Sequence, residues 1–168
     1  MLFRSIWLSG AQPHTFVDSC LGTVTEQICH DLLHRGGVIG GMAAGGLMHG
    51  EVLLQSSLVP MKRLLVDGYD RGFGFLPGVA IAQSSHLGET PAELTQLKHE
   101  HPQVVGLGIE DSTALIVRGH VMEVVGENQV SVLDSNSRHE ATPTAMLHAG
   151  DRYNFKDHAL LVYKARMP

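Results

Sequence analysis

Residues 36–50 read GGVIGGMAAGGLMHG and have the pattern of a catalytic turn without its reactive group. Two apolar residues lead into a pair of glycines, and a second glycine pair follows after three intervening residues. A buried strand that runs into a tight, glycine-lined turn and then a helix is one way in which hydrolases expose a nucleophilic serine or cysteine. The residues at the apex are Met42, Ala43 and Ala44, and none of these side chains can attack a carbonyl carbon.

Eleven histidines raise the question of a metal site. The pairs His30/His34 and His99/His101 have spacings that metal ligands use, but neither is clearly placed with a cysteine or carboxylate. A polar helix face is the favoured interpretation of His30 and His34. The sequence therefore predicts no metal and no other cofactor.

The composition is typical of one globular domain. The chain has 168 residues, which suffices for one hydrophobic core but is short for two. Apolar residues make up 43% and charged residues 17%, and a net charge of -5 without a basic cluster argues against nucleic-acid binding. The first ten residues have too short an apolar run for a signal peptide or a membrane span. A single cytoplasmic domain over residues 1–168 is expected.

The two cysteines support the same compartment. Cys20 and Cys29 are nine residues apart, which is too far for a disulfide if one helix carries both. Two free thiols fit a reducing environment.

Hydrophobic periodicity predicts strands and helices that alternate, followed by several strands in succession. Helices are expected over residues 24–33 and from about 44 to 54. A third helix is expected to run to about residue 99, with Thr90 as its N-cap and Pro91 as its first helical residue. The predicted strands are 5–8, 38–39, 62–67, 78–82, 105–109, 114–117, 121–125, 130–133 and 159–163. The fold class is therefore α/β, with a mainly parallel sheet and an antiparallel C-terminal extension.

Four segments together resemble one family: GGVIGGMAAGG, GFGFLPGVAIAQ, VVGLGIEDSTALIV and VVGENQVSVLDSN. In order and spacing they are similar to the later part of the cyanophycinase and dipeptidase E group of serine peptidases, family S51, from about Trp7 onward. The resemblance implies a flavodoxin-like fold similar to class I glutamine amidotransferases, with helices on both faces of the sheet. It also implies hydrolysis of peptides after aspartyl residues, including the β-linked Asp-Arg units of cyanophycin.

The resemblance assigns positions to a catalytic triad of a serine, a histidine and an acidic residue, and two of these positions carry residues that cannot do this chemistry. In the family, the turn that exposes the nucleophile, called the nucleophile elbow, is similar to Gly-Thr-Ser-Ala-Gly. Its serine therefore falls on Ala43 and its threonine on Met42. The family's histidine follows an Asp-Gln pair after the LPG turn, and its position is Ser84 here. The acidic segment is kept in part as Glu110 and Asp111, with Asp111 as the candidate catalytic acid.

The other candidate site residues would line an inherited pocket. The segment LSGAQ resembles the family's glycine-rich turn that ends in a substrate-facing glutamine. Met42 is expected to fill space where a substrate carbonyl would sit, and His86, two residues past the base position, is a candidate displaced base. The predicted binding residues, from this turn and the segments around the lost triad, are Gln12, Met42, Ala44, Gln83 and Glu110.

Family chains have several strands and helices ahead of the segment that resembles LSGAQ, whereas this chain begins close to it. A doubly wound sheet cut there would expose the edge of a central strand. A second copy of the chain or another polypeptide is therefore expected to complete the sheet, the alternative being a shorter sheet with altered edges. A monodisperse monomer in light scattering at micromolar concentration would contradict this expectation.

Two functions stay open. A non-catalytic homologue that acts as a binding, regulatory or scaffolding subunit is favoured, because Ala43 and Ser84 occupy two of the three triad positions. The alternative is a serine-type hydrolase of aspartyl peptides that uses displaced groups, for example Ser84 with His86, or groups from a partner chain.

Overall fold

The computed structural model describes residues 4–10, 12–54, 70–84, 91–134 and 145–162. The chain divides into two compact units, Met1–Ile81 and Ala82–Pro168, and the single domain predicted for residues 1–168 stays a prediction. The described residues contain both helices and strands, which confirms the α/β class.

Strands and helices are interspersed in the first unit. They are β1 Ser5–Leu8, α1 Pro13–Cys20, α2 Val24–His34, β2 Val38–Gly41, α3 Ala44–Leu47, β3 Gly50–Val52 and β4 Leu76–Ser84, whose last residues belong to the second unit. β1 pairs with β2 and β3 pairs with β4, in both cases in parallel.

The ends of α2 follow from its sequence. Thr23 is the N-cap, and its Oγ1 accepts a hydrogen bond from the Thr25 N–H at 3.2 Å. Cys29 and Leu32 are the buried residues of the helix. The chain leaves α2 through Gly36, whose φ of 80° is in the region that glycine adopts without strain. The strand β2 can therefore start directly after the helix.

A small core holds together the elements that flank the glycine-rich turn. Met48, Leu53 and Phe73 are almost fully buried in it, and each such side chain contributes about 1.5–3 kcal/mol to folding. Partly buried residues from β1, α1, α3 and the adjoining segments pack against this core: Leu8, Phe16, Val17, Cys20, Leu21, Leu47 and Phe75.

The second unit has one helix and seven complete strands among its described residues. They are α4 Ala92–Glu100, β5 Val105–Glu110, β6 Thr113–Arg118, β7 Val121–Gly126, β8 Gln129–Leu133, β9 Ala145–His148, β10 Arg152–Asn154 and β11 Ala159–Val162. β8 lies between β5 and β9, and β7 and β10 lie between β6 and β11. All of these pairings are antiparallel. The antiparallel extension is thus confirmed, while the mainly parallel, flavodoxin-like sheet stays a prediction.

Most predicted strands are confirmed, with small shifts at their ends. The predicted strand 62–67 lies outside the described residues. The elements α1, β9 and β10 have no counterpart in the prediction, although Pro13 at the start of α1 is a recognised helix-start signal. None of the described helices is long and apolar enough to cross a membrane.

The predicted helix from about residue 44 to 54 is wrong, because α3 ends at Leu47 and β3 begins at Gly50. A longer helix would need the carbonyl oxygens of residues 48–50 for its own hydrogen bonds. These oxygens instead accept from the N–H groups of Phe73, Leu76 and Gly74 at 2.8, 3.0 and 3.1 Å. Tertiary hydrogen bonds therefore override the helical pattern of this segment.

Two other details differ from the sequence-based prediction. Pro91 is the N-cap of α4 rather than its first helical residue, and Thr90 lies outside the described residues. Cys20 ends α1 and Cys29 lies on α2, so the two cysteines do not share a helix. The single-helix reason for excluding a disulfide is therefore wrong, although both cysteines are free in the structure.

Lys98 on α4 is a buried cation. Its side chain is 9% exposed, and its Nζ has no hydrogen-bond partner within the described ranges. Burial lowers the pKa of Lys98, and the negative charge of Asp134 partly opposes this effect. The burial cost is the larger influence, so Lys98 should weaken the fold.

Replacing Lys98 with Met should raise the free energy of unfolding by about 1–3 kcal/mol at pH 7, because it removes a buried and unbonded donor. Between the lowered pKa and the ordinary lysine value of about 10.4, the folded wild type holds fewer protons than the unfolded chain. The unfolding free energy of the wild type should therefore rise with pH across this window, and that rise should vanish in Lys98→Met.

Urea unfolding at several pH values measures both effects. Lys156→Met is the matched control, since Lys156 is exposed in a turn and its loss should change stability by less than about 0.5 kcal/mol. A loss of stability in Lys98→Met at pH 7 would contradict this interpretation and show that the cation is needed to balance Asp134.

Candidate functional site

The turn between β2 and α3 has the backbone geometry of a nucleophile elbow. Ala43 has φ of 52° and ψ of -133°, a combination that residues with a Cβ rarely adopt. A strained strand-to-helix turn of this kind holds the catalytic side chain of many hydrolases at its apex. The glycine-rich stretch therefore folds as its pattern predicts, with a methyl group at the apex.

Two glycines allow the turn to close. A Cβ atom on Gly41 would collide with the backbone oxygen of Gly45, and one on Gly45 would collide with the backbone oxygen of Leu8. A Cβ atom on Gly46 would make only an ordinary contact, 3.5 Å from the Gly41 oxygen. The spacing Gly-x-Ala-x-Gly thus lets β1, β2 and α3 approach each other at backbone distance.

Hydrogen bonds fix the same turn. The Met42 N–H donates to the Leu8 oxygen at 3.0 Å, and the Ala43 oxygen accepts from the N–H groups of Gly46 at 2.9 Å and Leu47 at 3.2 Å. These bonds hold residue 43 between β1 on one side and the first turn of α3 on the other.

His49 contacts the backbone on both sides of the elbow, and the sequence analysis did not predict this role. Its Nδ1 lies 2.9 Å from the Gly45 oxygen, and its Nε2 lies 3.4 Å from the Ile39 oxygen. The ring also packs edge-on against Phe75, with centroids 5.4 Å apart. A neutral imidazole has one N–H, and the shorter contact favours Nδ1 as the donor. A histidine four residues after a glycine near a helix end is a signal that could have indicated this contact.

The residues around Ala43 differ in exposure. The Met42 side chain is 58% exposed, and the expectation that it fills the space of a substrate carbonyl stays a prediction. Ala44 is buried at the start of α3. Gln12 is exposed directly before α1, and its side chain makes no capping hydrogen bond. The binding roles of Met42, Ala44 and Gln12 stay predictions.

The remaining candidate residues belong to the second unit. Ser84 is buried at the end of β4, and Gln83 beside it is exposed. Glu110 is 3% exposed, and its carboxylate accepts a hydrogen bond from the Gln129 N–H at 3.2 Å. Asp111 is exposed in the turn after β5. The buried acid is therefore Glu110, while the catalytic role of Asp111 and the binding roles of Gln83 and Glu110 stay predictions.

His86 lies outside the described residues. His30 is half-buried, and its Nε2 lies 3.0 Å from the Phe73 oxygen, so the interpretation of His30 as part of a polar surface is wrong. Across the described ranges, no group of three or more histidine, cysteine, aspartate or glutamate residues could hold a metal ion.

Replacing Ala43 with Gly should stabilise the protein by about 1 kcal/mol. With a Cβ atom at residue 43, the strained conformation costs on the order of 1–3 kcal/mol of folding free energy. Glycine adopts this conformation without strain, but ordering the more flexible glycine backbone on folding costs about 0.5–1 kcal/mol. Ala44→Gly is the matched control, because Ala44 is helical and the same change should destabilise by about 1 kcal/mol. Urea unfolding measures both variants, and equal destabilisation of the two would show that residue 43 is not strained.

No family model matches the chain. It is 33% identical over 138 residues to a cyanophycinase of Geminocystis herdmanii (strain PCC 6308), covering 71% of this chain and 50% of that protein. It is 32% identical over 111 residues to a cyanophycinase of Synechococcus elongatus, covering 64% of this chain and 34% of that protein. A cyanophycinase of Trichormus variabilis (strain ATCC 29413 / PCC 7937) is 28% identical over 139 residues, covering 79% of this chain and 43% of that protein. The chain thus spans half or less of the length of these relatives.

The fold has a solved counterpart. The structure of a peptidase from an acI-B1 Actinobacterium superposes with a TM-score of 0.67 at 24% sequence identity, covering 90% of this chain and 59% of that one. This likeness concerns the fold, and the cyanophycinases supply the likeness in sequence. Together with the elbow geometry, they show that the chain belongs to the cyanophycinase-like peptidases of family S51.

Proposed function

We propose that this chain does not catalyse the peptide hydrolysis of its family, and that it binds an aspartyl peptide and acts as a binding or regulatory subunit. The observation that carries the proposal is the turn at Ala43, which has the strained backbone of a nucleophile elbow and no nucleophile.

The strain at Ala43 supports a retained binding role. A turn that only reverses the chain could relax to an ordinary conformation and gain about 1–3 kcal/mol. Here the conformation persists, and two glycines whose Cβ atoms would collide with backbone oxygens, Gly41 and Gly45, are still present. Such outliers are characteristic of functional sites, where surrounding structure maintains them.

The side chains at the family's catalytic positions do not support the family's reaction. The methyl group of Ala43 has no lone pair, so it cannot form an acyl intermediate. The Ser84 hydroxyl has no accessible pKa near neutrality and cannot replace an imidazole as general base. In an elbow, the N–H that follows the nucleophile position donates to the substrate carbonyl oxygen, which gives Ala44 a binding role without turnover.

A partner chain and a cytoplasmic location are also part of the proposal, the location because Cys20 and Cys29 are both free thiols. Ser5 on β1 is paired with Val38 on β2, so their side chains lie on the same face of the two strands. Trp7 is two residues after Ser5 and therefore lies on that face as well. The two side chains are 65% and 64% exposed. A second copy or another polypeptide would bury this apolar surface, and light scattering tests for self-association.

Isothermal titration of the wild-type protein with β-Asp-Arg dipeptide tests the binding role. Saturable binding with Kd below about 1 mM is expected, with no free amino acid released on chromatography of the mixture. The dipeptide Arg-Asp has the same composition in reverse order and should bind at least about tenfold more weakly, a difference of about 1.4 kcal/mol.

Adjacent glycines provide matched variants for the same titration. Gly45→Ala should abolish binding, because its Cβ would collide with the Leu8 oxygen, while Gly46→Ala should leave binding intact. Circular dichroism confirms that each variant is folded. Release of arginine by the wild type would show a catalyst, and equal binding of the two dipeptides would remove the support for an aspartyl-peptide site.

A further inference from the structure

A second polar cluster, in the second unit, surrounds Asp134 directly after β8. Asp134 is 0% exposed, and its Oδ2 accepts hydrogen bonds from the Tyr153 hydroxyl at 2.6 Å and from His158 Nδ1 at 2.7 Å. Burial, followed by the bond to Asp134, raises the pKa of Tyr153, so the hydroxyl stays protonated and donates. We assign Asp134 as an ionised carboxylate and His158 as the tautomer with a proton on Nδ1, because this arrangement satisfies both short contacts.

His158 is held by this carboxylate in a defined orientation. It lies in the turn between β10 and β11, and its side chain is 34% exposed. Because Nδ1 carries the proton that Asp134 accepts, Nε2 has the lone pair of the neutral ring. No other residue within the described ranges bonds to the His158 ring.

Two elements bring a further polar or charged group to Asp134. Tyr153 belongs to β10, and Lys98, on α4, also interacts with Asp134 through its charge. Tyr153 fixes the carboxylate oxygen that faces His158, so the carboxylate cannot rotate without losing two hydrogen bonds. A buried carboxylate that holds an imidazole through Nδ1 sets the tautomer and stabilises the imidazolium that forms when Nε2 takes up a proton.

We propose that Asp134 and His158 form a proton-transfer dyad, in which His158 Nε2 is a general base acting on small, neutral carboxylic esters. Nε2 accepts a proton from a water molecule while the water oxygen bonds to the ester carbonyl carbon. The bond to the leaving alcohol then breaks, and the imidazolium returns the proton to the alcohol oxygen. The products are a carboxylic acid and an alcohol, and Asp134 is a positioning residue that does not itself lose or gain a proton.

A small, neutral substrate follows from the surroundings of the ring. The imidazole is partly exposed, and Asp134 is the charged side chain to which it bonds. A ring that is only 34% exposed can be reached by a small substrate more easily than by a large one. The carboxylate of Asp134 beside the ring would repel an anionic substrate, which favours a neutral one. This site does not depend on the elbow at Ala43.

The same unit contains a natural control. His148 and Asp151 are also a histidine and an aspartate, but His148 Nδ1 lies 3.9 Å from Asp151 Oδ2, beyond hydrogen-bond distance. Asp151 Oδ2 accepts from the backbone N–H of His148 at 2.8 Å instead. The His148 side chain is 43% exposed, slightly more than that of His158, so exposure alone predicts that His148 reacts faster.

Acylation by diethyl pyrocarbonate between pH 6 and 9, mapped by mass spectrometry, compares the two histidines in the unmodified protein. We expect His158 to react roughly tenfold faster than His148. This factor is smaller than the rate enhancement of about 10²–10⁴ that a positioned general base contributes to catalysis. Asp134→Asn should reduce the His158 rate to that of His148, and Asp151→Asn should leave the His148 rate unchanged. Equal rates in the wild type, or a His158 rate unaffected by Asp134→Asn, would overturn the dyad.

Hydrolysis of p-nitrophenyl acetate then tests the function of the dyad. His158→Gln should remove most of the protein-dependent rate, whereas His148→Gln should leave it unchanged. Equal rates for the two variants would overturn the proposal. The comparison of the two histidines in the wild type needs no variant, so the dyad stays testable even where Asp134→Asn does not fold.

Discussion

The close backbone contact between β1, β2 and α3 is the constraint on which the candidate site depends. The Gly41 and Gly45 positions leave no room for a Cβ atom, and the Leu8 oxygen accepts the hydrogen bond that fixes Met42. With the three backbones this close, residue 43 has to adopt a positive φ to connect strand and helix. Position 43 is therefore held at the apex whatever side chain it carries, which separates the geometry of the site from its chemistry.

Local patterns were sufficient to predict this turn, because its glycines and its neighbouring strand and helix are close in sequence. The end of α3 was not predictable in the same way. The carbonyl oxygens of residues 48–50 accept hydrogen bonds from N–H groups about 25 residues later in the chain. The hydrophobic periodicity of the segment itself gives no information about these distant hydrogen bonds. The helix predicted over residues 24–33 depends on local spacing, and it is confirmed as α2, Val24–His34.

The side-chain contacts around Asp134 could not be predicted from local sequence patterns either. Asp134 follows an apolar strand, which indicates a residue near the core, but its partners Tyr153 and His158 are 19 and 24 residues away. Their meeting depends on how β8 and β10 lie in their sheets, which sequence spacing does not determine. The family resemblance predicts which residues fall on the catalytic positions but carries no information about these contacts.

The most direct measurement is hydrolysis of β-Asp-Arg dipeptide by the wild type, the two single variants and the double variant Ala43→Ser, Ser84→His. These substitutions restore the side-chain types at the positions on which the family's serine and histidine fall. Because the elbow backbone is already present, we expect turnover by the double variant alone. Turnover by the wild type would contradict the loss of chemistry at Ala43. No turnover by a folded double variant would contradict the retention of a substrate site.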